Sequence, residues 1–154
     1  MASGSASLVS SLRPSTFIAS VAREVVHHYA SEGREPRAHV RSQLAQFWWG
    51  PSSSVHYEVW IHERNLQVEL GLHFEASATR NRELYAAFGQ HLLEIQQELG
   101  ESIWLEEWDR GWTRIYETQP LLPMDEARVY AIAGRLCEII DCLQPILESI
   151  EEGE

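Results

Sequence analysis

The chain has 154 residues, of which 44% are hydrophobic, and this length and composition fit one globular domain with a modest core. Its formal net charge is −11, so most of its surface is unsuited to binding nucleic-acid phosphates. All 12 basic residues are arginine, which excludes chemistry that needs a lysine, such as Schiff-base formation or a phosphate-loop lysine.

The two ends and the cysteines indicate a cytoplasmic protein. The start, MASGSASLVSSLRPST, lacks the basic and apolar regions of a secretory signal, and no apolar run approaches the roughly 18 residues that span a bilayer. We predict a disordered N-terminal segment over 1–14, one α+β domain over 15–150 and an acidic tail over 151–154. Cys137 and Cys142 lie too far apart along a helix for a disulfide, so we expect two buried thiols.

Two helices are predicted at the N-terminal end. Apolar residues at helical spacing predict the first helix over 15–31. Pro36, a favoured first-turn residue, precedes Val40, Leu44 and Phe47, which also fall at helical spacing. A second helix is therefore predicted before the first strand.

The run VHYEVWIHERNLQVELGLHFE, residues 55–75, predicts a β-hairpin because apolar and polar side chains alternate along both halves. Slipping the register by one residue would move a whole apolar row into water. The register that avoids this pairs Trp60 with Glu69 and His56 with His73 on the polar side.

A helix over 81–99 and a second hairpin in IWLEEWDRGWTRIYET are predicted next. The Asp-Arg-Gly sequence at 109–111 is typical of a three-residue hairpin turn, and it would place Trp108 opposite Trp112. A continued helix is the alternative, because Trp104, Trp108 and Trp112 repeat every four residues. The turn residues and the β-prone WTRIY segment favour the hairpin.

The last helix completes a predicted α+β fold. Asp125 is predicted to cap this helix, and Pro145 should kink or break it. The predicted order is ααββαββα, in which two hairpins form a four-stranded, mainly antiparallel sheet packed with about four helices.

Polar residues of the first hairpin form a candidate metal site. Residues two apart on a strand lie about 6.6 Å apart and paired residues about 5 Å, so His56, Glu58, His73 and Glu75 can converge. Two imidazoles and a carboxylate form a known type of zinc or iron site, so zinc, manganese or iron would be the ion. The alternative is the ordinary polar face of a one-sided sheet, which needs no ligand. The sequence favours this alternative, and no cofactor is predicted.

Six tryptophans in a chain of this size form the second candidate site. If the two hairpins share a sheet, one sheet face carries most of them. This face would be either a second core layer under the N-terminal helices or a protein interface, where tryptophan, tyrosine and arginine are enriched. The candidate interaction residues are Trp60, Trp104, Trp108, Trp112, Tyr116 and Arg114.

A basic cluster lies around the predicted second helix. Arg34, Arg37 and Arg41 surround His39 there, and Arg37 and Arg41 would share a helical face. The cluster could contact phosphate or an acidic partner, including another copy of this chain. The alternative is a solvated face with local ion pairs.

Part of the chain resembles a known but uncharacterised domain. VELGLHF, RNRELYAAFGQHLLEIQQELG and WLEEWDRGWTRIYE, within 66–122, resemble a C-terminal domain that accompanies restriction-endonuclease-like proteins of bacteria and archaea. The resemblance implies an accessory or recognition domain in a defence or mobile-element setting. It supplies no catalytic residues. The positions that match in type and order are Asn81, Leu99, Gly100, Trp104, Glu106, Arg114 and Ile115.

Three functions follow, in order of preference. The first is a non-enzymatic interaction or accessory module that binds another protein or a second copy through the tryptophan-rich face, without contacting a membrane. The second is a metal-dependent hydrolase that uses the His/Glu site of the first hairpin. The third is a nucleic-acid accessory protein that contacts phosphate through the N-terminal arginines and not through the acidic part of the chain.

Overall fold

The structure is a computed structural model, and it describes residues 11–153. Most of the predicted disordered segment, and Glu154 of the predicted acidic tail, lie outside the described residues. The described part contains four α-helices and six strands. The helices are α1 (Pro14–Ser31), α2 (Ala78–Gln90), α3 (Leu92–Leu99) and α4 (Glu126–Glu152). The strands are β1 (Arg37–Val40), β2 (Leu44–Trp48), β3 (Val55–His62), β4 (Gln67–Phe74), β5 (Trp104–Asp109) and β6 (Trp112–Pro120).

The strands form one antiparallel sheet in the order β1-β2-β3-β4-β6-β5. The two predicted hairpins are present, and they join through the pairing of β4 with β6. The predicted four-stranded sheet and the order ααββαββα are wrong, because the sheet has six strands and the order is αββββααββα.

The error lies in the segment that was predicted to be the second helix. Val40, Leu44 and Phe47 have helical spacing, yet this segment forms the hairpin of β1 and β2. Ala45 and Phe47 are buried while the residues between and beside them are partly exposed, which is the alternation of a strand. Ala45 pairs with Val59 of β3, so the segment extends the sheet and buries its apolar residues there.

The register of the first predicted hairpin is confirmed, including the pairs Trp60 with Glu69 and His56 with His73. In the second hairpin, Asp109 and not Trp108 pairs with Trp112, because a bulge lies between Glu107 and Asp109. The turn is shorter than predicted. It consists of Arg110 and Gly111, whose φ angles of 53° and 78° are those of a two-residue hairpin turn.

The helices differ from prediction at two places. The predicted helix over 81–99 is divided at His91, whose amide donates to the carbonyl of Phe88 in a tight turn. Asp125 caps α4 as predicted, since its side chain accepts from the amide of Arg128. The helix continues through Pro145, so of the kink or break that was predicted there, the break does not occur. Among the described helices, none is both long and apolar enough to cross a bilayer.

The hydrophobic core draws its strand side chains from one face of the sheet, against all four helices. Alternate residues of β3 and β4 supply most of them. The register places the remaining strand side chains on the opposite face, which we call the open face. The strand residues of the core are Ala45, Phe47, Tyr57, Val59, Ile61, Val68, Leu70, Leu72, Phe74, Leu105 and Ile115.

Candidate functional site on the open face of the sheet

The open face carries charged and aromatic side chains in adjacent rows. His56 of β3 pairs with His73 of β4, and His73 pairs with Arg114 of β6, which pairs with Glu106 of β5. Glu69 of β4 lies four residues before His73 and therefore on the same face. His56, Glu58, Glu69 and His73 are at most 4% exposed, although no core residue of the described helices packs on this side.

Aromatic rings provide the cover over these polar groups. Trp108 reaches from the edge strand β5 to Trp60 on β3, with ring centroids 6.1 Å apart. Its ring also meets His73 edge to face at 5.8 Å and Trp112 at 5.9 Å. Trp108 therefore closes over the buried polar row, while Trp104, which is paired with Tyr116, is 55% exposed.

Arg114 joins the aromatic cover to the acidic groups below it. Its guanidinium lies 4.8 Å from the ring centroid of Trp108 and 4.1 Å from that of Tyr116. It donates to Glu69 and to Glu106, both at 2.7 Å. The arginine is thus held by two rings and two carboxylates, which fixes the position of the aromatic side chains.

His73 is fully buried and contacts carboxylates through both ring nitrogens. Nε2 lies 2.6 Å from Oε2 of Glu69, and Nδ1 lies 3.2 Å from Oε2 of Glu75. Burial lowers the pKa of His73, but hydrogen bonds to these two carboxylates outweigh it and raise the pKa to about 9. Without another cation, the ring is an imidazolium at neutral pH.

His56 is held at the start of β3. Its Nδ1 lies 2.8 Å from the carbonyl oxygen of Ser53, and its Nε2 lies 3.1 Å from Oε1 of Glu58. The side chain of Gln46 donates to the same Glu58 oxygen. Burial raises the pKa of Glu58, but hydrogen bonds from His56 and Gln46 and the charge of His73 outweigh it, so the pKa is lowered.

The structure brings together the four residues of the candidate metal site. One ligand atom from each of His56, Glu58, His73 and Glu75 lies within 4.8 Å of those of the other three. Glu75 is the most accessible of the four, with 19% of its side chain exposed. The described clefts of about 390 and 350 Å³ are lined by other residues.

The basic cluster does not form the helical face that was expected. Arg37 and Arg41 lie on β1 and in the turn after it, because this segment is a strand. Arg41 donates to His39 at 3.1 Å. Arg34 lies over the rings of Tyr29 and Trp49 and within 4 Å of acidic side chains.

Sequence reasoning missed three groups that complete the site. Glu69 was paired correctly with Trp60, but its contact with Arg114 depends on the pairing of β4 with β6, which two separate hairpins do not reveal. Gln46 was assigned to a helix and therefore could not be placed beside Glu58. The carbonyl of Ser53 is a backbone group, and no residue pattern marks it.

Comparison with known proteins gives no family. No protein-family model matches the chain, and no curated protein matches it. A chain of the HopA1–SchA chaperone–effector complex is 10% identical, with a TM-score of 0.41 over 84% of this chain and 94% of that one. A chain of the ExsC–ExsE complex is 11% identical, with a TM-score of 0.41 over 80% of this chain and 88% of that one. Both TM-scores are below 0.5, so neither likeness establishes a shared fold or a function.

Proposed function

We propose that the protein is a non-enzymatic interaction module that binds another protein through the open face of its sheet. The observation that carries the proposal is the aromatic surface formed by Trp60, Trp104, Trp108, Trp112 and Tyr116. Trp108 contacts the rings of Trp60 and Trp112, and Arg114 lies over Trp108 and Tyr116, so these four aromatic side chains lose little entropy when a partner covers them. Tryptophan, tyrosine and arginine are the residue types that contribute most binding energy at protein interfaces.

The charge around this surface favours a basic partner. Glu106 and Asp109 lie on β5 on the same face as the exposed Trp104, and the whole chain carries a net charge of −11. Another copy of the chain would bring the same negative charges to the interface, and nucleic acid would bring phosphates. The partner is therefore a different protein whose contacting surface is apolar and positively charged.

The two alternative functions have less support. Trp108 packs against His73, and the His/Glu cluster lines neither of the two described clefts, so neither cleft would bring a substrate of a hydrolase to it. Of the N-terminal arginines, Arg34 is already engaged with rings and acidic groups of its own chain. The defence or mobile-element setting implied by the resemblance stays a prediction.

The test compares two exposed aromatic residues on opposite sides of the molecule. Trp104 on the open face is 55% exposed and Tyr130 on α4 is 54% exposed, so neither substitution to alanine should unfold the protein. Wild type, Trp104→Ala and Tyr130→Ala are each used to capture proteins from cells of the source organism. The captured protein is then purified, and its affinity for each variant is measured by calorimetry.

We expect a basic protein that binds wild type and Tyr130→Ala equally and Trp104→Ala about tenfold or more weakly, the loss of an aromatic contact residue. Three results would contradict the proposal. In the first, every protein captured by wild type is also captured by Trp104→Ala. In the second, Trp104→Ala and Tyr130→Ala weaken binding of the captured protein equally. In the third, the protein that wild type captures and Trp104→Ala does not is a second copy of this chain.

A further inference from the structure

We propose that His56, Glu58, His73 and Glu75 bind a divalent first-row transition-metal ion that stabilises the sheet and does not catalyse a reaction. This inference is independent of the proposed interaction with a partner protein. It concerns the layer beneath the aromatic side chains, where the sequence favours an ordinary polar face. The orientation of the two imidazoles and the spacing of the ligand atoms support it together.

In each histidine, one ring nitrogen contacts a group outside the proposed ligand set and the other faces a carboxylate of that set. A carbonyl oxygen can only accept, so Nδ1 of His56 carries the proton that it donates to Ser53, 2.8 Å away. Its Nε2 faces Oε1 of Glu58 at 3.1 Å, and the proton that joins these two atoms is the one that an ion would replace. Metal-binding histidines typically donate their outer N–H to a backbone carbonyl or a carboxylate in this way.

His73 is held in the same way, except that its outer nitrogen contacts a carboxylate and not a backbone carbonyl. Its Nε2 lies 2.6 Å from Glu69, and Glu69 is itself held by Arg114 at 2.7 Å. Its Nδ1 faces Glu75. Glu69 and the carbonyl of Ser53 are therefore the outer groups that would orient the ligands, while the inner nitrogens of His56 and His73 would bind the ion.

The spacing of the inner atoms suits one ion. Nε2 of His56 lies 3.1 Å from Oε1 of Glu58 and 3.9 Å from Oε2 of Glu75, which in turn lies 3.2 Å from Nδ1 of His73. Zinc bonds of about 2.1 Å in a tetrahedron place ligand atoms about 3.4 Å apart. The two rings are 18° from parallel with centroids 5.6 Å apart, so at least one ring must turn when the ion binds.

The charges of this layer are compatible with a dication. Glu69 and Glu106 are paired with the guanidinium of Arg114, whereas Glu58 and Glu75 have the imidazoles of His56 and His73 as their charged partners. Buried carboxylates are stable only when they are paired with cations. An ion bound to Nδ1 of His73 and Nε2 of His56 would displace to solvent the protons that these nitrogens share with Glu75 and Glu58, and its two positive charges would replace them.

The ligand set indicates the class of ion and its role. Two imidazoles with two carboxylates suit zinc, iron or manganese better than magnesium or calcium, which prefer oxygen ligands alone. Four protein ligands complete a tetrahedral shell, which is typical of structural zinc and leaves no position for a substrate. Such an ion would tie β3 to the residue that follows β4.

The test uses untagged protein that has been treated with chelator and then dialysed. Zinc chloride is titrated by calorimetry, and native mass spectrometry counts the ions bound. His56→Gln removes one ligand, and Glu75→Gln removes the most accessible one. His39→Gln is the matched control, because His39 lies exposed on β1, on the same face of the sheet by register, and accepts a hydrogen bond from Arg41 outside the ligand set. Circular dichroism shows whether each variant is folded.

We expect one zinc ion per chain, with a dissociation constant in the micromolar range or below, and a higher melting temperature when zinc is bound. His56→Gln and Glu75→Gln should weaken binding at least about tenfold, while His39→Gln should change it less than threefold. If His56→Gln does not fold, Glu75→Gln decides the question. The proposal is wrong if wild type binds no stoichiometric ion, or if the ligand variants bind zinc as tightly as the control does. Binding to the exposed pair His27 and His28 would give that second result.

Discussion

At the scale of single residues, Trp104 and Trp108 lie four residues apart on β5, yet they have different surroundings. Trp108 contacts Trp60, Trp112 and the ring of His73, and it lies against the guanidinium of Arg114. Trp104 is more than half exposed. The same residue type therefore supports the face at one position and is available to a partner at the other.

This difference predicts unequal effects on stability. Trp108→Ala should lower the free energy of unfolding by about 2–4 kcal/mol, because it removes packed surface and uncovers buried charged groups. Trp104→Ala should lower it by less than about 0.5 kcal/mol. Urea unfolding followed by circular dichroism measures both. Equal losses in the two variants would mean that Trp108 does not cover the polar layer.

The two thiols should react slowly. Burial raises the pKa of Cys137 to about 11, although a hydrogen bond from Tyr29 opposes it, and burial raises the pKa of Cys142 to about 12. At pH 8 the thiolate fraction is then about one in a thousand or less, against about a quarter for an ordinary thiol of pKa near 8.5.

We therefore expect alkylation by iodoacetamide to be more than a hundredfold slower than that of glutathione at pH 8. Because both pKa values lie above the range tested, the rate should rise about tenfold per unit of pH between 7 and 9. Mass spectrometry of the labelled protein follows the reaction. Complete labelling of the folded protein within minutes at pH 8 would contradict the burial of these side chains.

At the scale of elements, the pairing of β4 with β6 joins the two hairpins, and Gly71 lies at its centre. A Cβ added there would lie 2.3 Å from the carbonyl oxygen of Ile115 and 2.6 Å from Cβ of Tyr116. Gly71→Ala should therefore push the strands apart and lower the free energy of unfolding by about 2 kcal/mol or more.

Gly134 in α4 provides the matched control for this prediction. A Cβ added there meets nothing within 4 Å, and alanine is favoured over glycine in a helix. Gly134→Ala should raise the free energy of unfolding by about 0.5–1 kcal/mol in the same urea experiment. A neutral Gly71→Ala variant would show that β4 and β6 are not in close contact.

Local sequence patterns predicted correctly those elements in which the alternation of apolar and polar residues allows only one strand register. The first hairpin was predicted correctly, because slipping its register would expose a whole apolar row. The segment of β1 and β2 was assigned to a helix, because the spacing of Val40, Leu44 and Phe47 satisfies a helix as well as two short strands. Only the neighbouring strand β3 decides between them, through the burial of Ala45 and Phe47.

The candidate site was likewise predictable only where it depends on contacts within one hairpin. The convergence of His56, Glu58, His73 and Glu75 lies within one hairpin, and it follows from the register of that hairpin. The cover formed by Trp108 depends on β5 and β6 meeting β4, a long-range pairing that no local pattern encodes. The sequence therefore indicated the ligands of the site but not the burial of the polar layer.

At the scale of the whole molecule, the net charge of −11 should appear in the association with a partner. If the partner is basic, the dissociation constant should increase by about tenfold between 50 and 500 mM sodium chloride, because salt screens the attraction. Calorimetry at several salt concentrations measures this. An affinity that does not change with salt would indicate an apolar partner without the proposed charge.

The most direct test of the central claim is photo-crosslinking inside the cell. A photoreactive phenylalanine derivative replaces Trp104 in one sample and Tyr130 in the other, and mass spectrometry identifies the adducts. The proposed interface predicts an adduct with a basic protein from position 104 and little or none from position 130. The proposed interface would be contradicted if position 104 gave no adduct, if only position 130 gave one, or if the protein crosslinked at position 104 were a second copy of the chain.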